Sequence, residues 1–138
     1  MTKSIGISNF NINRTKKLLS FAKIKPVASE LHPPLNDKKS IADILDQVEL
    51  SIQCPQPELV AWLKKNDILP VAYSPLGGTD GAHLRENEIV KKIASKYDVQ
   101  GATILLSWLL KRGILPLPKS VTPSRIESNF KSEPLVSF

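Results

Sequence analysis

Residues 68–78, ILPVAYSPLGG, decide how the rest of the chain is read. Ile68 to Tyr73 form a short apolar run that favours β structure, broken sharply at Ser74-Pro75 and opening into Gly77-Gly78. A run of that length bounded by proline and glycine predicts a buried strand that hands over to a loop. Tyr73 and Ser74 then stand at the C-terminal mouth of the strand, the end at which α/β folds hold their ligands. Further strand–loop–helix units lie on either side, with polar residues at the corresponding mouths. Together they read as the floor of a cofactor site.

Upstream, residues 4–10 (SIGISNF) predict a strand through Ile5-Gly6-Ile7 that ends at Ser8-Asn9. Gly6 within it suggests close backbone approach. Asn11 or Asn13 can cap the helix that follows, with Leu18, Leu19 and Ala22 as its core face. Residues 25–31 (KPVASEL) predict a second strand, and residues 47–50 (QVEL) read as a strand again. Two candidates for one slot break an otherwise regular alternation. Pro55-Gln56-Pro57-Glu58 reads as a helix start, with proline in the first turn and Glu58 near the N-terminal dipole, and the helix's buried stripe is Leu59, Trp62 and Leu63. Downstream, residues 88–97 are amphipathic through Ile89, Val90, Ile93 and Ala94, and residues 101–111 form a more buried helix closed by Gly113. Residues 114–117 give the last strand, and Thr122-Pro123 cap and start a final helix. Strand and helix alternate about four times, which predicts parallel strands with helical crossovers. Such a set forms a small open sheet or half of an eight-stranded barrel.

The chain has 138 residues, 41% of them hydrophobic, enough for one globular core. Its formal charge of +6 is spread along helices without an arginine-rich or aromatic-interleaved stripe, so nucleic-acid binding is not expected. The positive balance instead suits a phosphorylated ligand. A single cysteine, Cys54, excludes an internal disulfide framework and fits a reducing, cytoplasmic setting. No stretch reads as a membrane span or signal peptide, and no metal-ligand spacing is evident. Entry straight into a strand suggests the later part of a larger protein.

The motifs IGISNF, QVEL, VAYSPLGG and LPKSVTPSRIESNF, in that order, resemble the C-terminal half of the aldo-keto reductase family. The resemblance covers residues 1–138 except for an atypical insertion at about 28–46, and its helix QCPQPELVAWLKKN is similar to fungal-type members. It implies strands five to eight of a (β/α)₈ TIM barrel and an NADPH-dependent oxidoreductase acting on aldehydes and ketones. By the same resemblance Ser8, Asn9 and Gln47 would hold the nicotinamide carboxamide, and Tyr73 would stack on its ring. Ser74, Leu76 and Gly77 would follow the pyrophosphate. Lys119, Ser120 and Arg125 would clamp the 2′-phosphate, and Asn129 would meet the adenine. The chemistry agrees: a carboxamide needs donors and acceptors, which Ser, Asn and Gln supply. A phosphomonoester suits Lys and Arg beside a hydroxyl at a helix N-terminus.

The proton-donating Asp, Tyr, Lys and His of the family belong to the other half of its barrel, so no catalytic residue is assigned here. The expectation is a cofactor-binding half that is inactive alone and associates through its open sheet edges. The alternative is a free-standing, non-catalytic half-barrel that binds NADP(H) or pairs with another protein. Of the remaining singular residues, His32 reads as structural, His83 as solvated, Cys54 as inert, and Trp62 and Trp108 as core.

Overall fold

The computed structural model describes residues 3–31, 50–78 and 81–133. Among the described residues ten elements follow one another: β1 (Gly6–Ser8), α1 (Ile12–Leu19), β2 (Ala28–Leu31), α2 (Pro57–Lys65), β3 (Leu69–Tyr73), α3 (Ala82–Arg85), α4 (Glu88–Lys96), α5 (Gly101–Lys111), β4 (Leu115–Leu117) and α6 (Pro123–Phe130). The strands form one sheet in chain order, β1-β2-β3-β4, and every pairing is parallel. The order never reverses, so the sheet is wound in one direction, as in a barrel wall, rather than outward from a switch point.

Local chemistry explains most boundaries. Asn11 caps α1, its Oδ1 accepting the Arg14 N–H at 2.9 Å. Asn87 caps α4 in the same way, accepting the Ile89 N–H at 2.9 Å. Pro57 opens α2, and Gly113 closes α5 at φ +61°, a left-handed conformation that glycine adopts without strain. Thr122 does stand at the N-cap of α6, but its side chain makes no cap hydrogen bond; its own N–H is accepted by Ser120 Oγ at 3.2 Å.

Between β1 and β3 the sheet uses Ala28–Leu31, in register Ser8↔Glu30 and Glu30↔Val71. The second candidate for that slot, including Gln47, lies outside the described residues, as do most of the expected insertion and His32. Its last residue, Leu50, is fully buried in the core and is not part of a strand.

Helices cover one face of the sheet, with α2 packed on β3 and α5 on β4. There the main core forms from Leu50, Val60, Leu63, Ile68, Leu109 and Ile114 together with Ala72, with Trp62 and Trp108 half-buried against it. A second cluster joins α3, α4 and α5 through Leu84, Val90, Ala94, Ile104 and Leu105. Ile89, expected on the core face of α4, is instead 70% exposed. Val90 and Ala94 face α5, and Ile89 lies about 100° around the helix from Val90. In α1 the buried residue is Thr15, its hydroxyl donating to the Asn11 carbonyl at 2.9 Å, while Leu18 and Leu19 are half-buried.

Arg112 ties the lower end together. Its guanidinium stacks 4.5 Å from the Trp108 ring and donates to the Pro55 carbonyl at 2.9 Å, and Lys64 Nζ donates to the Arg112 carbonyl. Burial pushes the Arg112 pKa below its ordinary value. The sheet face away from the helices is more open: Leu69, Tyr73, Leu115 and Leu117 remain 42% to 48% exposed.

Leu63 has no exposed surface and sits where α2 meets β3. Leu63→Ala is expected to lower unfolding stability by about 2–5 kcal/mol, read from a chemical denaturation curve.

Candidate functional site

Because the strands are parallel, their C-termini open at one end, and the candidate residues stand there. Tyr73 is the last residue of β3 and is 42% exposed. Ser74 follows at φ +48°, an uncommon conformation for a residue with a side chain, held by the Gly77 N–H donating to the Ser74 carbonyl at 3.0 Å. The loop then presses backbone against backbone. A Cβ on Gly81 would lie 1.8 Å from the Leu76 carbonyl oxygen, and one on Gly77 would lie 2.4 Å from Gly81 Cα. Arg85 Nη1 donates to the Leu76 carbonyl at 3.1 Å and locks this packing. Gly81 was not singled out from the sequence, although a third glycine within five residues of Gly77-Gly78 was its visible signal.

Across from this loop, β4 ends at Leu117 and the chain turns through Lys119 and Ser120 into α6. A cleft of about 1160 Å³ runs between the two banks. Tyr73, Ser74, Leu76 and Gly77 line one side, and Lys119, Ser120, Arg125 and Asn129 the other. Eight residues expected from the sequence to share a ligand thus face one space. Ser8 and Asn9 do not line it; they sit at the end of β1, two strands from β3, with Asn9 Nδ2 donating to Ser8 Oγ at 3.3 Å. Asn9 has φ +61°, and its N–H is accepted by the Glu30 carbonyl at 3.1 Å. Asn9 and Ser74 are therefore both left-handed residues directly after a strand, the kind of constraint that collects at functional sites.

Several lining groups were not legible in the sequence. Gln53 and His83 meet at the rim, with 3.1 Å between Gln53 Nε2 and His83 Nε2, so His83 is exposed but not merely solvated. Gln53 is set by a turn in which the buried Ser51 accepts its N–H at 3.2 Å. The N-terminal turn of α5, Gln100 to Ala102, also opens on the cleft. At its edge Lys91 pairs with Glu86 at 2.7 Å, and that hydrogen bond, reinforced by the ammonium charge, holds the Glu86 carboxyl below the usual carboxylate range.

The arrangement suits an elongated anionic ligand with a planar end. Tyr73 offers an aromatic surface, the Gly77–Gly81 contact fixes the shape of the loop, and Lys119, Arg125 and the N-terminus of α6 supply positive potential. Among the described residues no cluster of His, Cys, Asp or Glu could hold a metal ion, and no helix is long and apolar enough to cross a membrane.

The chain matches the model of the Aldo/keto reductase family over residues 1–137. It is 44% identical to glycerol 2-dehydrogenase (NADP(+)) of Hypocrea jecorina, the match covering 94% of this chain and 37% of that protein. The corresponding enzyme of Saccharomyces cerevisiae is 40% identical, with 94% and 36% covered. Among solved structures, the aldose reductase of Schistosoma japonicum superposes with a TM-score of 0.73 at 31% identity, covering 94% of this chain and 36% of that one. The Bombyx mori aldo-keto reductase in complex with NADP gives 0.70 at 29% identity, with 94% and 39% covered. The chain thus spans a little over a third of the length of the curated relatives it matches.

Gly77 combines φ +90° with no room for a Cβ. Gly77→Ala is expected to cost roughly 1–3 kcal/mol and to loosen the loop, seen as a lower thermal midpoint and faster amide exchange at residues 74–78.

Proposed function

As a member of the aldo/keto reductase family, this chain, we propose, carries the NADP(H)-binding portion of an oxidoreductase acting on small aldehydes or ketones. The observation that carries the reading is the convergence of Tyr73, the residues 74–77 loop and the Lys119–Arg125–Asn129 bank on one cleft. The cofactor fits the residues present. Ser74, Leu76, Gly77 and Gly78 line the cleft where a pyrophosphate would lie, and Lys119 and Arg125 match a phosphomonoester in charge. When bound, the dihydronicotinamide supplies hydride to a carbonyl carbon.

The role of this chain is to hold and orient. Tyr73 covers one ring face, Ser8 and Asn9 at the end of β1, two strands away, take the carboxamide, with Gln47 as a third partner, and Ser74, Leu76 and Gly77 follow the diphosphate. Lys119, Ser120 and Arg125 select the 2′-phosphate, and Asn129 meets the adenine. None of these groups protonates a developing alkoxide. General acid catalysis contributes about 10²–10⁴-fold, so we expect the polypeptide by itself to show no carbonyl reductase turnover. In this reading the barrel portion is the C-terminal half. Its apolar sheet face and outer strands β1 and β4 favour self-association or pairing with a complementary segment. One cysteine in the whole chain fits a cytoplasmic setting.

Titration followed by tryptophan fluorescence tests the reading. NADPH is expected to bind saturably and more tightly than NADH. Arg125→Ala is expected to weaken NADPH by about tenfold to a hundredfold, the size of a lost charge-assisted hydrogen bond, and to leave NADH nearly unchanged. Absence of binding to either nucleotide, or equal losses for both, would overturn it.

A further inference from the structure

Glu30 is the third residue of β2, and the register pairs it with Ser8 of β1 on one side and Val71 of β3 on the other. Side chains in register across neighbouring parallel strands stand on one face, and residues two apart along a strand share that face. Ser8, Glu30 and Tyr73 therefore occupy the sheet face away from the helices. Ser29 belongs to the opposite, helix-covered face, where it has no exposed surface. Neighbouring strands lie about 4.8 Å apart, so Glu30 is the next side chain along the face from Ser8. The Asn9 N–H, donating to the Glu30 carbonyl at 3.1 Å, ties the two strand ends to each other. The face thus presents a carboxylate on β2 between a hydroxyl–amide pair on β1 and an aromatic ring at the end of β3.

A carboxylate and an aromatic ring on one surface recognise a flat organic cation. The carboxylate attracts its charge, and the ring offers both a stacking surface and a negative π-face. We propose that Glu30 discriminates between the redox forms of the nicotinamide dinucleotide, its carboxylate favouring the oxidised, cationic ring over the reduced, neutral one. The proposal rests on the cofactor reading above. Toward the carboxamide Glu30 acts only as an acceptor, for the NH₂, which leaves the carbonyl to the donor amide of Asn9. A glutamine at this place would hydrogen-bond equally well but would carry no charge to separate the two forms.

The test is titration of the full chain with NADP⁺ and, separately, with NADPH, in the native protein and in Glu30→Gln. Circular dichroism would establish that both are folded. The ratio Kd(NADP⁺)/Kd(NADPH) is expected to rise about fivefold to tenfold in Glu30→Gln, as for removal of a unit charge at several ångströms in a half-exposed site. Glu30→Asp, which keeps the charge, is expected to stay near the native ratio. Should Glu30→Gln fail to fold, Glu30→Met, uncharged and of similar length, carries the same expectation. An unchanged ratio in a folded, uncharged variant overturns the assignment to Glu30 and leaves the cofactor reading standing. No binding of either nucleotide by the native chain overturns both.

Discussion

Everything at the candidate site depends on the parallel pairing of four strands in chain order. Parallel pairing puts every strand's C-terminus at the same end, and each crossover returns the chain to the other end through a helix. Residues from β1, β3 and β4 that are far apart in the chain therefore arrive at one rim. The helices that make this possible bury Leu63, Leu109 and Ile114 against β3 and β4, so the core and the site are two consequences of one connectivity.

At that rim the backbone is as informative as the side chains. The residues 74–78 loop and the start of α3 touch through glycines that leave no space for a methyl group, and Arg85 fastens them by donating to the Leu76 carbonyl. Tight backbone packing of this kind fixes the shape of the loop that lines the cleft. The opposite bank is built differently. Lys119 and Arg125 are exposed side chains at a helix start, so charge rather than shape sets what they hold. One bank supplies fit, the other potential.

Much of this was visible in the residues. Asn11, Pro57 and Gly113 mark helix ends by their own conformational preferences, and residues 101–111 were identified as a helix to the residue. The Tyr73–Gly77 and Lys119–Asn129 groups were recognisable as motifs, and they do share a cleft. Errors arose where packing outweighed pattern. Ile89 belongs to an apolar repeat, yet its side of α4 meets no partner among the described elements, and Val90 and Ala94 make the contact with α5 instead. The four-residue helix α3 was missed because one turn is too short to show periodicity. The Gln53–His83 contact joins residues thirty apart, and no local signal connects them.

By itself, the sequence determined the alternation of strands and helices, the turns at Ser74, Gly77 and Gly113, and the chemical character of each strand mouth. Those properties reside in single residues and their immediate neighbours: fixed φ angles, missing side chains, caps and charges. Only the tertiary structure decided that Ala28–Leu31 lies between β1 and β3, and so brought Glu30 beside Ser8. It alone also set which side of α4 is covered. Strand register and helix contact are pairings between distant segments, and two stretches with similar local preferences are separated only by what each can pair with and bury.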